Sequence, residues 1–115
     1  MKNDIKVNAI IALRDAMKLL NNTAEKCLIV VSKEGKLKGT LTDGDIRRAI
    51  LSGCDFKENI QNIYNKNPFY VYEKKYKAED VLLKMKKKKI DIVPVVNKKS
   101  TVTNYLTWSI VSKKK

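Results

Sequence analysis

The chain repeats itself at an offset of 65 positions, without a gap. Asp15 falls on Asp80, Val30-Val31 on Val95-Val96, Leu37 on Val102, and Leu41-Thr42 on Leu106-Thr107. In 115 residues each copy is too short to bury a full core by itself. Two copies of one unit therefore predict an intramolecular pair with a pseudo-twofold relation. The copies differ in chemistry. After Thr42 the first continues Asp43-Gly44-Asp45-Ile46-Arg47-Arg48, whereas after Thr107 the second continues Trp108-Ser109-Ile110-Val111. Only the first keeps polar groups suited to a ligand.

Residues 1–55 form the first unit in this reading and 56–115 the second. Ile5 and Val7 suggest a short strand, and Asn8 an N-cap for a helix over 9–21 with Ile10, Leu13, Ala16, Met17 and Leu20 on one face. Cys27-Leu-Ile-Val-Val reads as a strand buried on both sides. Lys33 to Lys36 make a turn, and residues 37–41 return as a hairpin arm. Thr42 caps a helix to about residue 52, and Gly53 suits its left-handed end. Ile60, Ile63 and Tyr64 have the spacing of a short connecting helix. The second unit repeats the plan, with a strand at 69–72, a helix at 77–89, a buried strand at 91–96, a returning strand at 102–106 and a helix from Trp108. Proline lacks a donor, which places Pro94 near a sheet edge or strand end.

Histidine is absent, which removes the commonest general base and metal ligand. Histidine-assisted serine or cysteine catalysis is excluded, and a zinc site is not expected. Two cysteines make no disulfide framework. No glycine-rich dinucleotide or phosphate loop occurs. No apolar run approaches the roughly 20 residues of a membrane span, and no signal core opens the chain, so a cytoplasmic protein without a membrane partner is expected. The formal charge of +13 is almost all Lys. Its plainest reading is a solvated surface, since nucleic-acid readers favour clustered Arg and aromatics.

Thr42-Asp43-Gly44-Asp45 sits where a strand passes into a helix. Outward N–H groups there carry partial positive charge and can hold a phosphate. Gly44 permits close approach, Asp45 offers two oxygens to the hydroxyls of a ribose, and Arg47 and Arg48 can balance phosphate charge. The same Thr-x-x-Asp pattern also describes a capping box, worth about 1 kcal/mol. Both readings stand on these four residues, and Thr42 can serve both.

The stretches Cys27-Leu-Ile-Val-Val, Gly39-Thr-Leu-Thr-Asp-Gly-Asp-Ile-Arg-Arg, Asn67-Pro68 and Ile92-Val-Pro-Val-Val resemble a tandem pair of cystathionine-β-synthase-type (CBS) domains, a Bateman module. Leu41 to Arg48 is most similar to the pairs associated with sugar-phosphate nucleotidyltransferases. The resemblance implies an α+β fold, two βαββα CBS units packed sheet to sheet as an intramolecular pseudo-twofold pair, with two clefts between them. It implies an adenosine nucleotide (AMP, ADP or ATP) as effector and no catalytic cofactor. Thr42, Asp43, Gly44, Asp45 and Arg48 would hold phosphate and ribose. Tyr70, Val71, Tyr72, Asp91, Ile92 and Val93 would pack on the base. In the second cleft Ile110 replaces the aspartate and Asn104 replaces Gly39. Binding there should be weak or absent, with Thr107 left as a cap, and Trp108 either filling the space or packing on a missing partner domain.

The function expected on this basis is regulatory, not enzymatic. One nucleotide per chain would shift the arrangement of the units and signal to an attached or partner catalytic domain, with a homodimer as the working form. The alternatives are a basic nucleic-acid-binding module, which predicts steep salt dependence, and a purely dimerising module with empty clefts. The short last helix and abrupt start lead us to expect a fragment of a longer enzyme.

Overall fold

A computed structural model describes residues 5–113. Residues 1–4, at the head of the first unit, and Lys114-Lys115 of the lysine tail lie outside them. Each copy forms one three-stranded sheet. The first contains β1 (Lys6–Val7), β2 (Cys27–Val31) and β3 (Leu37–Thr42), with helices α1 (Leu13–Asn21) and α2 (Asp43–Leu51). The second contains β4 (Val71–Tyr72), β5 (Ile92–Val96) and β6 (Val102–Thr107), with α3 (Ala78–Lys88) and α4 (Trp108–Lys113). In both sheets the central strand pairs parallel to the first and antiparallel to the third. The α+β architecture of two βαββα units is the one the repeat implies.

The repeat is also legible in hydrogen bonds. Gly35 N–H donates to Ser32 O at 2.9 Å, and Ser100 N–H to Asn97 O at 3.0 Å. The ladder slips between Val30 and Val31, and again between Val95 and Val96. The two hairpin turns then meet each other. Leu37 N–H donates to Ser100 O at 2.9 Å and Val102 N–H to Gly35 O at 3.0 Å, around a bridge between Lys36 and Thr101. The 65-residue offset carries one of these bonds onto the other, Leu37 to Val102 and Ser100 to Gly35, and the bridge joins Lys36 to its own counterpart Thr101, which is the signature of a local twofold.

β5 is buried along its whole length, and alternation divides its side chains between two cores. Ile92 and Val96 join the core of the first unit, with Leu28, Ile29 and Leu41. Val93 and Val95 face the helices of the second unit, packing with Val81, Met85 and Val111. The molecule is thus helix, sheet, sheet, helix, with Ile92 and Val96 of β5 carrying the apolar core across the seam between the sheets.

Four local expectations change. α1 begins at Leu13, not residue 9, because the Asn8 side chain accepts from Ile10 N–H at 3.1 Å and turns the chain first. Ile10 is consequently 74% exposed, not on the core face. Ile60 to Tyr64 make a single turn, with Ile63 and Tyr64 N–H both directed at Ile60 O, too few residues for the expected helix. Phe69 and Tyr70 fall outside β4. Pro94 sits in the middle of the central strand. It is tolerated because β4 reaches only Val95 and Val96. The equivalent rung in the first sheet, Ile29 N–H to Ile5 O at 2.8 Å, is one a proline cannot make.

The segment after α2 straps the first unit. Glu58 O and Phe56 O accept from Leu13 and Arg14 N–H, and Asn65 exchanges both backbone bonds with Thr40, at 2.8 and 3.1 Å. This pairing covers the outer edge of β3 and explains Gly39. A Cβ there would run into the Asn65 carbonyl and lie 2.6 Å from the Tyr64 ring. At the equivalent of Thr40, Tyr105 N–H is taken by the Asn104 side chain at 2.8 Å, so β6 blunts its own edge.

Two stability changes follow from this geometry. Gly39→Ala is expected to destabilise the protein by about 1–3 kcal/mol, the cost of overpacking a closed contact, read by chemical denaturation. Ser100 holds a φ of +67°, where its counterpart Gly35 has +82°. Ser100→Gly should relieve left-handed strain and gain about 0.5–1 kcal/mol in the same assay.

Candidate functional site

The extended backbone of Thr42 (φ −110°, ψ 168°) turns directly into α2. Its hydroxyl accepts from Asp45 N–H at 3.2 Å, and Asp45 Oδ2 accepts from Thr42 N–H at 2.9 Å and from the hydroxyl at 3.0 Å. The capping box is therefore formed. Asp45 Oδ1 takes Arg48 Nη2 at 2.7 Å. A carboxylate has about four acceptor positions, and three are in use. Of these three donors Arg48 is the least firmly held, being 72% exposed, and an exposed pair of this kind contributes only about 0–1 kcal/mol. Arg47 is similarly paired with Asp43 at 3.0 Å.

Beside this junction lies a cavity of about 240 Å³ walled by both units. The first unit contributes Cys27, Thr40, Thr42, Asp43 and Gly44, with Lys26 at the rim; the second contributes Lys89, Ile90, Asp91 and Ile92. Gly44 leaves the wall open, since a Cβ there would meet nothing nearer than the mobile Arg48 guanidinium at 3.4 Å. The N–H groups of Asp43 and Gly44, which open α2 at this wall, have no helical partner.

Of the residues singled out in the sequence, Thr42, Asp43, Gly44, Asp91 and Ile92 come together here. Asp45 and Arg48 line a neighbouring groove of about 460 Å³, between α2 and the segment carrying Cys54, Glu58 and Asn62. Tyr70 borders a separate hollow of about 130 Å³ with Lys38, Lys66 and Pro68. Tyr72 is exposed and meets the Tyr70 ring edge-on, 5.8 Å between centroids. Val93 is buried in the second core, and Val71 packs against it. The strand alternation that turns Ile92 toward the first unit turns Val93 away from it. Sequence reasoning missed Lys26 and Cys27, although a signal existed. They are the 65-residue counterparts of Asp91 and Ile92, so a wall built from one pair has the other beside it.

Lys26 Nζ donates to Leu20 O and Asn21 O at 3.5 and 3.4 Å, closing the end of α1. The Cys27 thiol is pushed up to about 12, first by burial and then by the negative charges of Asp45 and Asp91. Cys27 is accordingly an inert apolar floor.

The second unit answers the same geometry differently. Ile110 N–H donates to the Thr107 hydroxyl at 3.2 Å, so the cap persists while the carboxylate is gone. Trp108, at the position of Asp43, packs against the second core, and its Nε1 donates to Asp91 Oδ1 at 2.8 Å. Of the two fates left open for Trp108, the side chain takes an internal one. Asp91 touches both the indole and the cavity.

Residues 1–52 match the family model described as the CBS domain. The chain is 35% identical over 79 residues to the uncharacterized protein RP505 of Rickettsia prowazekii (strain Madrid E), covering 69% of this chain and 24% of that protein. It is 30% identical over 112 residues to L-aspartate semialdehyde sulfurtransferase of Methanocaldococcus jannaschii, covering 97% of this chain and 21% of that one. The chain thus spans about a quarter or less of the length of these curated relatives. Among solved structures, the CBS domain pair of protein MJ0100, in complex with 5′-methylthioadenosine and S-adenosyl-L-methionine, superposes with a TM-score of 0.80. It has 29% identity, with coverage of 98% of this chain and 88% of that one.

The buried thiol gives a direct check on the cavity floor. Alkylation of the native protein at neutral pH is expected to spare Cys27 and modify it only after unfolding. With the folded thiol near 12 and its ordinary value at 9.0, its stabilising effect is complete below pH 9. That effect is lost between pH 9 and 12, at about 1.4 kcal/mol per pH unit. Denaturant titrations of Cys27→Val across that range should lack this part of the slope.

Proposed function

We propose that this chain, which has the fold of a CBS domain pair and a first unit matching the CBS domain model, is a regulatory module that binds one adenosine-containing ligand. The observation that carries this reading is the cavity shared by Thr42, Asp43 and Gly44 of one unit and Asp91 and Ile92 of the other. A ligand held by both walls necessarily has different affinity for different arrangements of the units. That difference is the physical requirement for transmitting its presence. The two adenosine compounds bound by the MJ0100 pair support an adenosine ligand here, and an adenosine nucleotide such as AMP, ADP or ATP is the class assigned to this chain. Asp45 takes the ribose after release of Arg48, while Thr42 and the start of α2 take the phosphate. The second unit, with Ile110 and Trp108 in place of Asp45 and Asp43, takes none.

The module acts on an attached or partner domain and performs no catalysis itself. The Leu41 to Arg48 stretch supports a sugar-phosphate nucleotidyltransferase as that domain, in the cytoplasm. A homodimer is the proposed working form. Exposed apolar side chains on α1, on α2 and on the segment after it, Leu19, Leu51 and Phe56, are the contacts proposed for it, whereas the second unit presents lysines that would repel a like surface.

Thermal unfolding with AMP, ADP, ATP and S-adenosylmethionine tests the site. A ligand at a hundredfold over its Kd should add about 2.7 kcal/mol of apparent stability. Asp45→Ala should lower the unliganded stability by about 1 kcal/mol through the lost cap and abolish the ligand response. An Asp45→Ala protein that responds as fully as the parent would remove the ribose contact from this account.

A further inference from the structure

The positive charge is not spread over the molecule. Residues 1–65 contain eleven Lys and Arg against eight Asp and Glu, while residues 66–115 contain fourteen against four, and none of the fourteen is Arg. Arg47 pairs with Asp43 and Arg48 with Asp45, both in α2, whereas none of the described lysines from Lys66 to Lys113 forms an ion pair.

They are densest at the end of α3. Val81, Leu82 and Met85 point into the core, which leaves Lys84, Lys86, Lys87 and Lys88 on the solvent side, followed by Lys89. Cations in the last turn complement the helix dipole, but that effect acts within one turn and does not call for five in six residues. Like charges packed so closely oppose folding by mutual repulsion. In their midst Leu83 is 65% exposed. At three and four residues' distance it shares its face with Lys86 and Lys87.

We infer that this face of α3 docks on an anionic lipid surface. Lysines around a projecting aliphatic side chain match an interface in which phosphate headgroups surround a shallow apolar layer. Nucleic acid fits less well, because the unit has no Arg for bidentate contacts and the one ring against the cluster, Phe69, lies under Lys84 at 6.0 Å, where the lysine covers it against base stacking. A second copy of the chain would set lysine against lysine. The expectation of no membrane partner rested on the absence of a spanning segment, and surface docking needs none.

The test is co-sedimentation of the full chain with phosphatidylcholine vesicles, with and without phosphatidylserine, at low and high salt. Capture should require phosphatidylserine and fall with salt. The triple variant K86Q/K87Q/K88Q should weaken it about a hundredfold, while K98Q/K99Q, in the β5–β6 turn, should leave it nearly intact. L83S should weaken it without changing its salt dependence. Unchanged thermal midpoints would show that the variants fold. No capture at low salt, equal losses in the two lysine variants, or tighter binding to single-stranded RNA than to vesicles at matched phosphate would each overturn the inference.

Discussion

Four backbone atoms set the geometry of this molecule. Where the two hairpin turns touch, each donates one N–H to the other's carbonyl, through Leu37 and Ser100 and through Val102 and Gly35. Because the participants are counterparts in the repeat, the contact fixes the angle and register of one unit against the other. The apolar seam around β2 and β5 then closes the remaining freedom. The cavity at Thr42 has walls from both units, so its width depends on this distant clasp as much as on its own residues.

The junction of β3 and α2 uses one set of groups twice. Thr42 and Asp45 close the start of the helix, and the same hydroxyl and carboxylate are the polar groups we propose for the ligand. A site built on a cap arrives already ordered, so little conformational freedom is lost on binding. The corresponding limit is that the carboxylate is engaged beforehand, and its availability depends on how readily Arg48 leaves. The second unit kept Thr107 and lost the acid, which separates the structural use of the motif from the chemical one.

Much of this was legible in the sequence, because the repeat imposes it. The order of elements, the doubly buried strands, the Thr42 cap and the αL glycine at 53 all follow from local pattern and the 65-residue offset. What was not legible depended on partners distant in the chain. Asn8 turned the backbone before α1 through its own side chain. Pro94 could occupy a central strand because its neighbour β4 is two residues long. Tyr70, Tyr72 and Val93 were placed beside Asp45 by resemblance, whereas the pleat of β5 turns Val93 into the opposite core. Lys26 and Cys27 went unnoticed because an apolar strand and its flanking lysine carry no chemical motif, only a position.

Gly39 and Asn104 occupy equivalent places, and their difference bears on how a duplicated chain folds without confusion. The strap at 64–65 can lie along β3 because no side chain stands at 39. On β6 the Asn104 side chain already fills that space and bonds the edge. Two sheets of one topology thus offer the strap a single berth, along β3, because the matching place on β6 is closed by Asn104.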